Sequence, residues 1–503
     1  MAAKENRYDV IIAGSGLGGL LCGTILAKEG MCVCILERGH TAGGCLSTFH
    51  RKGIDFDTGV HYFGSMDPGQ PLFRYWKYAG LTDSVPMERM NPDGFDMIGF
   101  EDREYPLAMG AVNFIDRLHS CFPGEKKILE KYMHKLEEIR KVFSLYNLEL
   151  PVDHSEEQYR AESAYDFYRK LANEARDSAN SNRIFSVLTG NNLLYAGSRE
   201  HTPLHIPALI NHSFISSAWK PVGGSGSIVS KLVEQIRASG GEVRLNTEVT
   251  GIGDQDAVFT VRTLQGENFY GKNFISGIHP GRTIELLDTP LFRKSFIRRI
   301  TGLRNTYSSF ALYLVMKENS FPYMDHNYYF HGSEHVWNED RETGWPSGYM
   351  LNTPAPASED GFAKSIVILS AMPYSMFKRW ENTTTGRRGE EYLEFKQEAA
   401  GRLLDLAGKR FPGLRKGTHH MEVSTPLTWR DYTGIPEGSM YGIERDYNNL
   451  PVTNLLPVTK FPGFYFTGQN INIHGVLGVT IGAVLTCGEI VGLKYLLNKI
   501  KNS

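Results

Sequence analysis

Cysteine is scarce in this chain of 503 residues, with six at positions 22, 32, 34, 45, 121 and 487. No two form a Cys-x-x-Cys pair and none has zinc-ligand spacing, so neither a redox dithiol nor a metal site is expected. Cys32 and Cys34 alternate with apolar residues on a predicted strand and are read as buried thiols of a reducing cytoplasm. Excess charge is absent too: 54 Lys and Arg against 56 Asp and Glu leave a net charge of −2, which excludes the basic field of a nucleic-acid binder. No 18 residues in a row are uninterruptedly apolar, so no spanning helix is expected. Met1 to Arg7 is short and polar, without a signal-peptide core, which points to a cytoplasmic protein. Repeats and low-complexity segments are lacking. There is no Gly-x-Ser-x-Gly and no His-Glu-x-x-His, so hydrolase and zinc-protease chemistry has no foothold. His201 and His205 are separated by Thr-Pro-Leu, and the proline breaks the helix that would bring both onto one face.

What is present begins at residue 8. Tyr8-Asp9-Val10-Ile11-Ile12-Ala13-Gly14-Ser15-Gly16-Leu17-Gly18-Gly19, closed by Ile35-Leu36-Glu37-Arg38, reads as strand, glycine turn, helix, and a second strand ending in an acid. This is the dinucleotide-binding pattern in its proper context. Gly14 permits the tight turn, Gly16 admits a pyrophosphate to the backbone, and Gly19 lets the helix pack on the strand. The helix N-terminus then offers free N–H groups and a positive dipole end to the phosphates. Glu37 suits a carboxylate accepting from ribose hydroxyls and disfavours a 2′-phosphate, hence NADP, at this site.

Farther on, residues 110–185 look helical, with surface charge pairs such as Lys135 and Glu138. A helix is predicted over 228–239, a strand over 242–246 and a hairpin over 256–270. Strand-like runs occupy 307–315 and 365–370, and a charged amphipathic helix spans 387–410. Residues 463–498 repeat the strand, glycine turn and helix order, which aims a second helix N-terminus at a ligand. The simplest assembly is interleaved: a nucleotide domain from 1–90, 215–285 and 445–503, and a second domain from 91–214 and 286–444. Phe95, Tyr195, Phe214, Trp219, Tyr328, Tyr329, Phe330 and Trp345 fall in or beside the insertions. They read mainly as core, and the 12% aromatic content also suits a pocket for a flat, extended apolar ligand.

Three motifs add a resemblance. Gly43-Gly44-Cys45-Leu46-Ser47-Thr48-Phe49 with Phe56-Asp57-Thr58-Gly59-Val60-His61-Tyr62 is similar to the second signature of phytoene-desaturase-like flavoproteins. Thr425-Pro426-Leu427-Thr428 with Gly438-Ser439-Met440-Tyr441-Gly442 resembles the late motif of the retinol saturase and carotenoid isomerase branch. Tyr465-Phe466-Thr467-Gly468-Gln469-Asn470 with Gly475-Val476-Leu477-Gly478 resembles its C-terminal flavin motif. The resemblance implies an α/β fold, with an FAD-binding Rossmann-type, glutathione reductase-like domain interleaved with an α+β substrate domain. It implies FAD held by Gly14, Ser15, Gly16, Gly18, Gly19, Glu37 and Arg38, by Gly43, Gly44 and Cys45, by Val249 at the adenine, and by Gly468, Gln469, Gly478, Val479 and Thr480 near the flavin. Cys45 stands where desaturases commonly carry arginine, and Gly-Gln-Asn replaces their C-terminal glycine-alanine-glycine run.

The activity implied is saturation or desaturation of carbon–carbon double bonds in an apolar polyene, the flavin carrying the redox step. The proton donor is sought among His474, Tyr441 and His61, because a histidine near neutrality can act as general acid. A covalent flavin bond at Cys45 is not expected. Arg430 is read either as a head-group contact or as the partner of a surface carboxylate. Redox-neutral isomerisation of a polyene is the first alternative, and a GDP-dissociation-inhibitor-like lipid carrier is the remote one. Amine oxidation shares the fold, but the late motifs match it less well. No second dinucleotide pattern is convincing, so NAD(P)H is expected, if at all, as an external electron donor. With no spanning helix, an apolar substrate implies peripheral membrane contact. Oligomeric state is not legible.

Overall fold

The computed structural model describes residues 6–151, 156–288, 291–338, 342–356, 358 and 360–503. Most of the polar segment Met1 to Arg7 therefore lies outside the described residues.

Two seven-stranded sheets organise the chain. In the first, Glu242–Arg244, Val33–Leu36, Arg7–Ala13, Asn268–Ser276 and Phe464–Phe466 run parallel, in that order. Val10 pairs with Val33, and Ile12 lies between Ile35 and Ile275. Continuous Val and Ile runs suit parallel strands covered on both faces. Val258–Thr263 and Val249–Gln255 extend the sheet antiparallel, as the predicted hairpin requires. The helices Leu17–Lys28, Gly226–Ala238 and Gly475–Val491 pack on one face, where Leu20, Leu21 and Ile25 meet Ile228, Ile236, Ile481 and Val484.

The second sheet runs Thr418–Ser424, Ser308–Met316, Ser365–Met372, Gly348–Asn352, Asn327–His331, Asp96–Gly99, Glu104–Leu107. It is antiparallel except where Asn327–His331 meets Asp96–Gly99. Every residue of Ser308–Met316 is buried, and its faces separate with period two. Phe310, Leu312 and Leu314 pack with Ala399 and Leu403 of the helix Glu390–Arg410. Ala311, Tyr313 and Val315 belong instead to the core shared with Leu129, Leu136, Val187 and Leu209 of the helical block. That block comprises Ala111–Cys121, Lys126–Val142, Ala164–Ala172, Ser178–Leu188 and His205–Ser216. A small sheet of Phe63–Gly64, Ala218–Pro221 and Met87–Arg89 lies beside it.

The mixed α/β class thus agrees with the sequence reading. Two local readings change. Cys34 is buried but Cys32 is exposed, because the strand begins only at Val33 and Cys32 precedes it, its N–H donating to the Asp9 carboxylate at 3.0 Å. The C-terminal helix is broken at Gly492, whose φ of 95° no α-helix contains, leaving Gly475–Val491 and Leu493–Lys501. No described helix is long and apolar enough to cross a membrane.

Candidate active site

A continuous cavity of about 570 Å³ runs from the first sheet to the inner face of the second. At one end its wall contains Gly14, Gly16, Leu17, Gly18, Glu37, Arg38 and Val249; in the middle Gly44, Cys45, Gly468, Gln469, Gly478 and Val479. At the other end stand Tyr62, Phe214, Tyr329, Met350, Leu369, Trp429, Tyr441 and Leu477. Of the aromatics singled out in the insertions, Phe214 and Tyr329 reach the cavity, whereas Phe95, Tyr195, Trp219, Tyr328, Phe330 and Trp345 are not part of its wall.

The glycine turn has the shape a dinucleotide needs. Gly14 has φ +93°, open only to glycine at low cost. A Cβ on Gly19 would lie 2.1 Å from the Gly14 carbonyl oxygen, so this glycine sets the distance between helix and strand. A Cβ on Gly18 would lie 2.7 Å from the backbone of Gly468, so the two glycine turns touch although they stand at opposite ends of the chain. A Cβ on Gly16 meets nothing within 4 Å. Open space therefore lies against bare backbone at the start of Leu17–Lys28, a helix with no side-chain cap and no acid in its first turn. The N-terminus of Gly475–Val491 also has neither, and Gly475 to Gly478 line the cavity. Two uncapped helix N-termini on one cavity favour negative charge there.

Glu37 holds the turn as well as facing the cavity. Its carboxylate accepts from Ser15 N–H at 2.9 Å, Ser15 O–H at 2.7 Å and Gly39 N–H at 2.8 Å. A carboxylate has about four acceptor sites, so capacity remains for a hydroxyl donor. Arg38 donates to the carbonyls of Asp431 and Tyr432, tying this end to the helix Pro426–Thr433. Four residues expected at the cofactor stand behind the cavity wall instead. Ser15 is fully buried under Glu37, Gly19 packs on Gly14, Gly43 bridges to Gly16, and Thr480 donates to Val476 O and accepts from the Trp76 indole. They shape the wall from one layer out.

The proposed proton donors come together only in part. His474 precedes Gly475–Val491, and its ring lies 4.4 Å from that of Tyr441. Burial pushes His474 down to about 3, with the Arg445 guanidinium adding to the effect. Burial pushes His61 down to about 4, Lys220 adding to it. Both rings are neutral at pH 7, which corrects the expectation of a histidine acid near neutrality. The Tyr441 hydroxyl donates to Leu193 O at 3.0 Å, and burial raises its phenol. An NMR titration should show neither His61 nor His474 changing charge between pH 6 and 8; a midpoint near 6.5 at either would restore it as an imidazolium donor. Cys45 faces the cavity, and burial pushes its thiol up to about 11, which disfavours the thiolate. Arg430 pairs with Asp431 at 2.9 Å, donates to Tyr374 and Glu381 O, and is not part of the cavity wall. No group of His, Cys, Asp or Glu among the described residues is placed to hold a metal.

Compared with known proteins, the sequence matches the family described as flavin-containing amine oxidoreductase over residues 17–487. The chain belongs to that family. It is 26% identical to human all-trans-retinol 13,14-reductase, over 99% of this chain and 87% of that protein. It is 24% identical to prolycopene isomerase 1, chloroplastic, of an Oncidium hybrid cultivar, over 96% of this chain and 83% of that protein. An oxidoreductase from Methanosarcina mazei superposes with a TM-score of 0.65 at 16% identity, covering 95% of this chain and 98% of that one. These relatives agree with the branch that the motifs resemble, and the family supports a flavin cofactor.

Sequence reasoning missed the polar layer behind the apolar end. Asp96, Asn327 and Lys220 are each at most 1% exposed. A lone buried acid in an aromatic stretch carries no periodic signal; only the pairing of Asp96–Gly99 with Asn327–His331 reveals it.

Proposed function

We propose that this protein is an FAD-dependent oxidoreductase that saturates a carbon–carbon double bond of an apolar polyene. The observation that carries the reading is the cavity itself, which joins a bare glycine turn and two uncapped helix N-termini to an apolar, aromatic end. The names of the retinol reductase and prolycopene isomerase relatives supply the substrate class. Gly14, Gly16 and Gly18 would hold the pyrophosphate, Glu37 the adenosine ribose and Val249 the adenine. Gly44, Cys45, Gly468, Gln469, Gly478 and Val479 would hold the flavin side. Bound FAD supplies hydride transfer at N5 in either direction. The helix Gly475–Val491 offers its positive end to negative charge there. The apolar end excludes water and aligns a flat chain between Phe214, Trp429 and Leu477.

An amine substrate fits less well. Glu156, which also lines the cavity, is paired with Arg160 at 2.8 Å, and Asp96 lies fully buried behind Tyr62. Polyene isomerisation with reduced FAD is the second reading, favoured by the isomerase relative. Electrons would come from an external donor, NAD(P)H among the candidates, and the substrate from peripheral contact with a lipid surface.

The test is anaerobic. The flavin is photoreduced, all-trans-retinol or a carotenoid is added, and flavin and polyene absorbance are followed together. Flavin reoxidation with a shortened chromophore is expected. A changed polyene without net reoxidation would select the isomerase, and a protein that binds no FAD would sink both.

A further inference from the structure

Saturating a double bond takes a hydride at one carbon and a proton at its neighbour. With His61 and His474 neutral and the Tyr441 hydroxyl spent on a carbonyl, the proton needs another source. Behind the apolar end is a row of polar groups. The Tyr62 hydroxyl is 2.9 Å from Asp96 Oδ2 and 2.7 Å from the Tyr329 hydroxyl. Asn327 donates to Asp96 Oδ1 at 2.9 Å, and Asn352 donates to Asn327 at 2.6 Å. Tyr62 and Tyr329 both belong to the cavity wall; Asp96 is 0% exposed.

We propose that Asp96, Tyr62 and Tyr329 form a proton wire into the substrate cavity, with Asp96 as the buried store and the Tyr329 hydroxyl as terminal donor. The proposal rests on the saturase reading above.

The row has two polarities. With Asp96 ionised, Tyr62 donates to the carboxylate and Tyr329 donates to Tyr62. With Asp96 protonated, its O–H donates to Tyr62, Tyr62 donates to Tyr329, and the Tyr329 O–H is released toward the cavity. Passing between them carries one proton the length of the row without moving a heavy atom. In a turnover, a hydride drawn from reduced FAD brings both electrons to one alkene carbon. Tyr329 gives its proton to the neighbouring carbon, is refilled by Tyr62, and Tyr62 by Asp96. The net change is one hydride and one proton added across the double bond. Asp96 is left as a carboxylate and, being sealed from solvent, regains its proton by the reverse passage along the same row, from water that enters the cavity after product leaves.

Burial brings the loading of the store into the neutral range. Burial pushes the Asp96 carboxyl up to about 7, against the hydrogen bonds from Asn327 and Tyr62 and the attraction of Lys220. The titratable groups that act on it are Tyr62, Tyr329 and the Lys220 ammonium of Ala218–Pro221. Glu88 and Asp325 act on Lys220 in turn. A purely structural polar link could be served by asparagine; an acid that changes charge near pH 7 could not be replaced so.

The variants are Asp96→Asn, which keeps the shape and both neighbours, Tyr329→Phe and Tyr62→Phe. The first readout is infrared difference spectroscopy of the resting holoenzyme between pH 5 and 9. A carboxylic-acid carbonyl band that titrates near neutrality, vanishes in Asp96→Asn and shifts in Tyr329→Phe is expected. The second is single-turnover reoxidation of photoreduced enzyme by polyene in H2O and D2O. Asp96→Asn and Tyr329→Phe should be at least tenfold slower with unchanged flavin content, and Asp96→Asn should lose the pH dependence near 7. Absence of the band, or variants as fast as wild type with the same solvent isotope effect, overturns the wire. If wild type is inert to every polyene, the saturase reading falls, and the wire stands only if the band still titrates and still shifts in Tyr329→Phe.

Discussion

Replacing Gly16 by alanine is expected to weaken FAD binding a hundredfold or more while leaving the unfolding midpoint at the wild-type value. A hundredfold is about 2.8 kcal/mol. Nothing lies within 4 Å of a Cβ at this position, so the fold has room for the methyl group. The room is cavity, and the methyl group would stand over the helix N–H groups that a pyrophosphate needs. The neighbouring glycines should behave differently. At Gly18 and Gly19 the added carbon meets backbone at 2.7 and 2.1 Å, so Gly18→Ala and Gly19→Ala should lose stability as well as flavin, by the roughly 1–3 kcal/mol typical of overpacking. Titration with FAD followed by flavin fluorescence, beside denaturant unfolding of the apoproteins, separates the two behaviours. A Gly16→Ala protein that binds FAD normally would remove the phosphate site from this turn.

Lys220→Ala is expected to cost about 3–5 kcal/mol, combining lost stem packing with a backbone acceptor left unpaired. Lys220 is 1% exposed, and its ammonium donates to Met324 O and Thr353 O, both at 3.0 Å. These bonds fasten the small sheet at Ala218–Pro221 to the segments flanking Asn327–His331 and Gly348–Asn352. Met324 O keeps a second donor in the Thr353 hydroxyl at 2.8 Å, so most of the polar penalty falls on Thr353 O. Lys220→Met separates packing from charge and should cost less. Burial pushes Lys220 down to about 8. The unfolded chain then holds more protons between pH 8 and the ordinary lysine value, so this group makes stability rise with pH across that window. Wild type minus Lys220→Met should show that slope, and a flat difference would place the amine in solvent.

Legibility followed the range of the interaction. The strand, turn, helix and acid of residues 8–38 are fixed by neighbours in sequence, since φ at Gly14 and the approach of Gly19 to Gly14 are local demands. The helices at 226–238 and 390–410 and the hairpin of 258–276 were equally plain from apolar spacing. Cys32 was misread because alternation does not say where a strand begins. The direction of the Thr480 side chain was not legible because a motif names residues but not where their side chains turn; its hydroxyl turns back on Val476 O. The histidines were singled out by residue type, yet their protonation depends on burial and on Lys220 and Arg445, which are remote in sequence.

By itself the sequence determined the strand, glycine turn and helix of a dinucleotide-binding pattern at residues 8–38, and through its three motifs the flavoprotein branch that the chain resembles. Local backbone geometry and residue type suffice for both. Tertiary structure decided the rest. It set Gly18 against Gly468, joined the glycine-turn and apolar ends into one cavity, and sealed Asp96 behind Tyr62 and Tyr329. Each depends on which distant strands pair and how closely they pack, and no stretch of sequence contains both partners.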